Sequence, residues 1–161
     1  MEYASRISNA NDFKEIFEIV KDAVYRVFKL RRVGLSLLLQ VMPSFVGAYH
    51  VLGSNYIVMN RYVLDMVKRV SRSREEYNAY IFVVLVHEYL HSLGIIDEYR
   101  VRRMTHELCS KLLGSKHPAS IMAENDPSSY FPELKKLVST MFSSKFEMIR
   151  EFDTSNLSYI A

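Results

Sequence analysis

The stretch His87-Glu88-Tyr89-Leu90-His91-Ser92-Leu93-Gly94-Ile95-Ile96-Asp97 decides how this chain is read. In an α-helix, residues four apart lie one turn up on nearly the same face, so the imidazoles of His87 and His91 can address one ion. Zinc accepts imidazole nitrogen at about 2.0–2.1 Å, and a catalytic zinc site keeps one position for water. Glu88 stands beside the first imidazole, where a carboxylate can take the proton of a metal-activated water. The plain alternative is a helix face that carries two histidines and a solvated glutamate.

The flanking sequence supports a helix. Ser73-Arg74-Glu75-Glu76 has the form of a capping box, with Ser73 as N-cap and Glu76 at the third helical position. The β-branched run 81–86 would also suit a strand. The cap, the length and the histidine spacing instead predict a helix from about 74 to 93, apolar nearly all round and therefore buried. Gly94 is placed to end it in a left-handed turn. The result is a core helix with polar chemistry at its end.

The frame His87-Glu88-x-x-His91-x-x-Gly94-x-x-Asp97 resembles the metzincin superfamily of zinc peptidases, whose motif is HExxHxxGxxH, with Asp last in a minority of members. That superfamily carries a methionine turn beneath its metal, and His117-Pro118-Ala119-Ser120-Ile121-Met122 is similar to one. The resemblance covers roughly residues 74–122 and is most specific over 87–97. It implies a small zincin-like α+β domain, with a short mixed sheet, a central active-site helix and Zn2+ as cofactor. The implied activity is peptide-bond hydrolysis, with Glu88 as general base and His87 and His91 as metal ligands.

The third ligand stays open at this level. Asp97 fits the frame, and a carboxylate is an acceptable zinc ligand. Asp97 is equally suited to cap a following helix, Glu98–Leu113, with Val101, Met104, Leu108 and Leu112 on one face and Gly114 as its stop. His117 is a rival, because imidazole is the commoner ligand. Glu107 is another, since gluzincin peptidases take a glutamate from a later helix. Tyr99, Tyr130 and His50 are candidates by type for stabilising an oxyanion.

At 161 residues, 49% hydrophobic and 24% charged, the chain fits a single domain, 1–161, with a sizeable core. Asp12-Phe13-Lys14-Glu15 is a second capping box, opening an amphipathic helix to about Leu30. Strands are expected over 35–41, 46–52 and 56–59, with Gly53-Ser54-Asn55 as a hairpin turn before the third. A helix over 60–70 follows. The stretch Ala48-Tyr49-His50-Val51-Leu52 is the candidate edge strand, along which a peptide or protein substrate could add as a further strand. A helix is expected over 132–142, extended or followed by another to Phe152. Residues 153–161 then read as a flexible polar tail, whose Leu157, Tyr159 and Ile160 could enter the cleft.

The net charge of +3 does not call for nucleic acid. The basic groups Arg31-Arg32, Lys68-Arg69 and Arg102-Arg103 fall at helix ends or on exposed faces, where solvation and the helix dipole account for them. No segment holds the ~18 consecutive apolar residues of a membrane span. Cys109 is the lone cysteine and the first residues lack the pattern of a signal peptide, so a cytoplasmic protein is expected. A family of bacterial rRNA-maturation endoribonucleases has a similar frame, HxxxHxxGxxH, typically with Gly after the first histidine and Asp-His at the end. Glu88 and Ile96-Asp97 depart from it and favour the peptidase. A non-catalytic zinc-binding interaction domain, closed by a fourth protein ligand, is the remaining alternative.

Overall fold

Helix starts in this chain are written by short polar side chains. In a computed structural model, which describes residues 2–136, 146–150 and 152–153, Asp12 accepts from the Glu15 N–H at 2.8 Å and Ser73 from the Glu76 N–H at 3.2 Å. Glu15 and Glu76 reach back to the backbone N–H groups of Asn11 and Arg72 at 2.7 and 2.9 Å, which satisfies further orphan donors at each start. The described residues form six α-helices: α1 (Glu2–Asn9), α2 (Phe13–Phe28), α3 (Arg61–Val70), α4 (Arg74–Ser92), α5 (Glu98–Leu113) and α6 (Pro118–Glu124). Four strands join them: β1 (Ser36–Gln40), β2 (Ala48–His50), β3 (Tyr56–Asn60) and β4 (Glu147–Ile149). The class is α+β, with a small mixed sheet.

The sheet order is β2-β3-β1-β4. β2 and β3 form the antiparallel hairpin expected around Gly53, whose φ of 83° is the left-handed turn that glycine tolerates. β1 runs parallel to β3, so β3 lies between β1 and β2, and β2 occupies one edge. Asn60 makes that arrangement possible. Fully buried at the end of β3, it donates to the carbonyls of Met42, Pro43 and Val46 at 3.1, 3.1 and 2.8 Å, and accepts from the Met42 N–H at 3.2 Å. One side chain thus ties down the loop that carries the chain from β1 to the edge strand.

α4 runs through the core. Every residue from Ala79 to Val86 is buried, packed among α1, α2, α5 and α6. Each large apolar side chain there contributes roughly 1.5–3 kcal/mol by leaving water, which fixes the axis on which the histidines stand. Asn78, also buried, donates to the carbonyls of Ile7 and Ala10 at 2.8 and 2.9 Å and so docks α1 against the helix. Gly47 approaches α4 closely: a Cβ there would sit 3.3 Å from the Tyr80 hydroxyl oxygen.

The C-terminal part differs from its expected form. The helix expected to start at Pro132 is a 3-10 turn over Pro132–Lys136, and 137–145 lie outside the described residues. In place of a helix reaching Phe152 there is β4, paired antiparallel to β1. Phe152 stacks on Phe17 at a centroid distance of 4.2 Å. Asp153 is no part of a free tail: its carboxylate pairs with Lys21 Nζ at 2.8 Å and accepts from the N–H groups of Gly34 and Leu35 at 2.9 and 3.2 Å. The remaining tail positions, 154–161, lie outside the described residues. Among those described, no helix is long and apolar enough to cross a membrane.

Candidate metal centre

The end of α4 is fixed from outside and from within. Arg32 donates to the Ser92 carbonyl at 2.8 Å and to the Asn55 side chain at 2.5 Å, linking the helix end to the β2–β3 turn. The Tyr89 hydroxyl accepts from the Arg32 N–H at 2.9 Å and donates to its carbonyl at 3.2 Å. Gly94, at φ 97°, turns the chain back, and the Gly94 and Ile95 N–H groups close on the carbonyls of His91 and Leu90. Three residues on, Asp97 accepts from the Tyr99 N–H at 3.0 Å and starts α5. Glu98, first residue of that helix, then faces α4 across the turn.

Its carboxylate meets both imidazoles. Glu98 Oε1 lies 3.0 Å from His87 Nε2 and 2.9 Å from His91 Nε2, and the two rings sit 4.9 Å apart. Arg102, one turn along α5, donates from Nε to the other carboxylate oxygen at 2.9 Å. His87, His91 and Glu98 are the group of potential ligand atoms that converge among the described residues.

The donor chemistry fits a divalent metal. His91 Nδ1 lies 2.8 Å from the Ile95 carbonyl, which only accepts, so Nδ1 carries a proton and donates it. In a neutral ring Nε2 is then a lone pair facing a carboxylate oxygen, an arrangement that a cation between them resolves. A backbone partner on the far nitrogen is also the usual way a ligating imidazole is oriented. With zinc–nitrogen distances of about 2.0–2.1 Å, tetrahedral donors stand about 3.3 Å apart, within a few tenths of an ångström of the two nitrogen–oxygen separations seen here, 3.0 and 2.9 Å.

Burial shapes the electrostatics. It lowers the His87 pKa, an effect that the Glu98 charge partly offsets, and so favours the neutral ring that ligates. For Glu98, burial works upward, but when the imidazoles are protonated the His87 charge and the hydrogen bonds from Arg102, His91 and His87 outweigh it and hold the carboxyl at about 2. Glu88 is pushed up to about 7 by burial, with His91 pulling the other way and Glu98 adding to the rise. Adjacent carboxylates in one site therefore differ sharply in their hold on a proton, a pattern associated with acid–base work.

Two openings meet here. A cavity of about 200 Å3 is lined by Phe45, Gly47, Ala48, Tyr80, Val84, His87 and Glu88, with further residues from α5 and the 123–127 segment. A second, of about 350 Å3, is lined by β2, Leu52, Ile96, His87, Glu88, His91 and Glu98. The edge strand β2 borders both.

Other residues singled out in the sequence have different places. Asp97 is spent on the helix cap and is not among the converging atoms; Glu98 stands where Asp97 was expected. His117 caps α6, its Nδ1 accepting from the Ala119 N–H at 3.1 Å, and its Nε2 lies 3.9 Å from Glu75 rather than near the cluster. Glu107 is exposed on α5. Met122 is buried in α6, so its segment is a helix rather than a turn, with Pro118 favouring that start. Among the oxyanion candidates, Tyr130 donates to Glu76 at 3.1 Å and Tyr99 is exposed, whereas His50 lines the second cavity. The signal that leads to Glu98 is its position at N1 of a helix that starts just beyond a glycine turn. Comparison with family models, curated proteins and solved structures finds no match to this chain.

Proposed function

We propose that this chain is a zinc-dependent metallopeptidase that holds its metal with His87, His91 and Glu98 and uses Glu88 as general base. One observation carries the reading: two imidazole nitrogens four residues apart converge on a carboxylate oxygen at 2.9–3.0 Å, with a second, buried carboxylate next in sequence to the first imidazole. Bound there, zinc would supply an acidified water and polarise a carbonyl. Glu88 would take the proton of that water and later deliver it to the leaving amine, a shuttle suited to a carboxyl held near 7. Arg102 keeps Glu98 turned toward the imidazoles. β2 offers the outer edge of the sheet to an extended polypeptide, and the exposed apolar side chains Phe45, Leu52 and Ile96 line the cavities on either side.

The test compares zinc-loaded wild type with Glu88→Gln on fluorescein-labelled casein, with bound zinc measured by mass spectrometry. The variant is expected to keep about one zinc per chain and to lose cleavage by roughly 10²–10⁴-fold, the usual size of a general-base contribution. Equal cleavage by both would sink the role given to Glu88, and a wild type that holds no zinc would sink the whole reading.

A further inference from the structure

His50 ends β2 on the same side of the strand as Ala48, and both residues line the cavity that contains His87, Glu88, His91 and Glu98. Its Nδ1 lies 2.7 Å from the Tyr56 carbonyl oxygen. A carbonyl only accepts, so Nδ1 is the protonated nitrogen and donates. Burial lowers the pKa of the ring and so favours its neutral form, in which Nε2 is a bare lone pair. That nitrogen is buried, and no donor among the described residues reaches it. It also lies outside the cluster of ligand atoms formed by His87, His91 and Glu98. An unpaired buried acceptor is unfavourable, so a lone pair held this way beside a site is suited to a donor that arrives with a ligand. With no proton on Nε2, His50 is not suited to be an oxyanion donor.

We propose that His50 is a substrate-contacting residue, its Nε2 accepting a hydrogen bond from a backbone N–H of a polypeptide laid along β2. This rests on the peptidase reading above and extends it. A polypeptide at a strand edge presents a regular row of N–H donors, whereas phosphate groups present only acceptors. The tautomer is set by the same hairpin that forms the edge: Tyr56, whose carbonyl holds Nδ1, opens β3, the partner of β2. Edge and acceptor are therefore positioned together.

The experiment first maps a casein bond cut by the zinc-loaded wild type, then measures binding of a fluorescein-labelled peptide spanning that bond by anisotropy, in a Glu88→Gln background. His50→Phe keeps a planar ring without an acceptor; His50→Gln restores one. We expect His50→Phe to bind about tenfold more weakly, His50→Gln to recover most of the loss, and all forms to keep about one zinc. One N-methylated version of the peptide should lose about tenfold against the unmutated His50 and nothing further against His50→Phe. Unchanged affinity in His50→Phe, or no position at which N-methylation weakens binding to the unmutated His50, overturns the proposal. So does loss of zinc in a folded His50→Phe, which would make His50 a metal donor. If the wild type cuts no casein, the peptidase reading falls and this proposal with it; if it cuts casein and His50→Phe binds normally, only this proposal falls.

Discussion

His91 Nε2 stands 2.9 Å from Glu98 Oε1, across a turn in which Gly94 reverses the chain and Asp97 starts the next helix. The two acidic neighbours thus divide the work: Asp97 satisfies the backbone and Glu98 faces the imidazoles. Zinc titration separates them. Glu98→Ala should weaken zinc by about a hundredfold or more, whereas Asp97→Ala should leave zinc affinity within about threefold and cost about 1 kcal/mol in stability, the usual value of a lost N-cap. The reverse pattern would return the third-ligand role to Asp97.

Glu88 makes the metal-free protein pH-sensitive in a defined direction. Its folded pKa of about 7 lies above the ordinary 4.5. The stability linked to its neutral form is therefore fully present below pH 4.5 and is lost as pH rises through 7. Glu88→Gln lacks this loss. Urea denaturation in the presence of a chelator should find the variant gaining on wild type by up to roughly 3 kcal/mol between pH 4.5 and 8, since each pKa unit is worth about 1.4 kcal/mol. A difference that stays flat with pH would contradict the burial of this carboxyl.

Arg102 is expected to tune the metal without touching it. Arg102→Ala removes the 2.9 Å hydrogen bond that orients Glu98 and should lower zinc affinity by about tenfold, the low end for an outer partner of a ligand. Arg102→Lys keeps the charge but not the directional Nε donor, so it should recover only part. Competition with a coloured chelator reads both, and equal affinities across the three proteins would refute the orienting role.

Asp153 is expected to matter for the scaffold rather than for the site. Its side chain is fully covered, and Lys21, which it pairs with, is only 12% exposed. Asp153→Ala leaves the ammonium and two backbone N–H groups without this carboxylate and should cost about 3–5 kcal/mol. Asp153→Asn keeps an acceptor and should cost less. Zinc bound per folded chain should not change. A melting temperature within a degree of wild type would show that this contact carries no stability.

Much of the fold is legible along the chain because its signals are local. Ser73 with Glu76, and Asp12 with Glu15, announce helix starts in four residues, and the glycines at 53, 94 and 114 mark reversals at or close to where they occur. His87 and His91 are legible because a helix turn is itself local. Glu98 is harder, since its role depends on the direction in which α5 leaves the Gly94 turn. Asp97 attracts attention in sequence because one residue type suits both cap and ligand; here it accepts from the Tyr99 N–H, and the carboxylate that meets the imidazoles is that of Glu98. The Met122 segment follows the same logic, with Pro118 at N1 and an alanine-containing run favouring helix over turn. β4 is illegible for another reason: three residues with Glu147 and Met148 exposed carry no alternation, and only β1 makes them a strand.

The grip of Asp153 on Lys21 and on the Gly34 backbone also sets an order of events during synthesis. Residues 132 positions apart must meet before α2 has all its partners. Until β4 emerges, β1 exposes one edge of a Leu37-Leu38-Leu39 run, the kind of apolar edge that pairs with other chains. A nascent chain stalled short of Glu147 is therefore expected to be a sticky species, even though every residue of the candidate metal centre has already been made. Chaperone demand should peak in that interval, and slow non-local closure should limit folding.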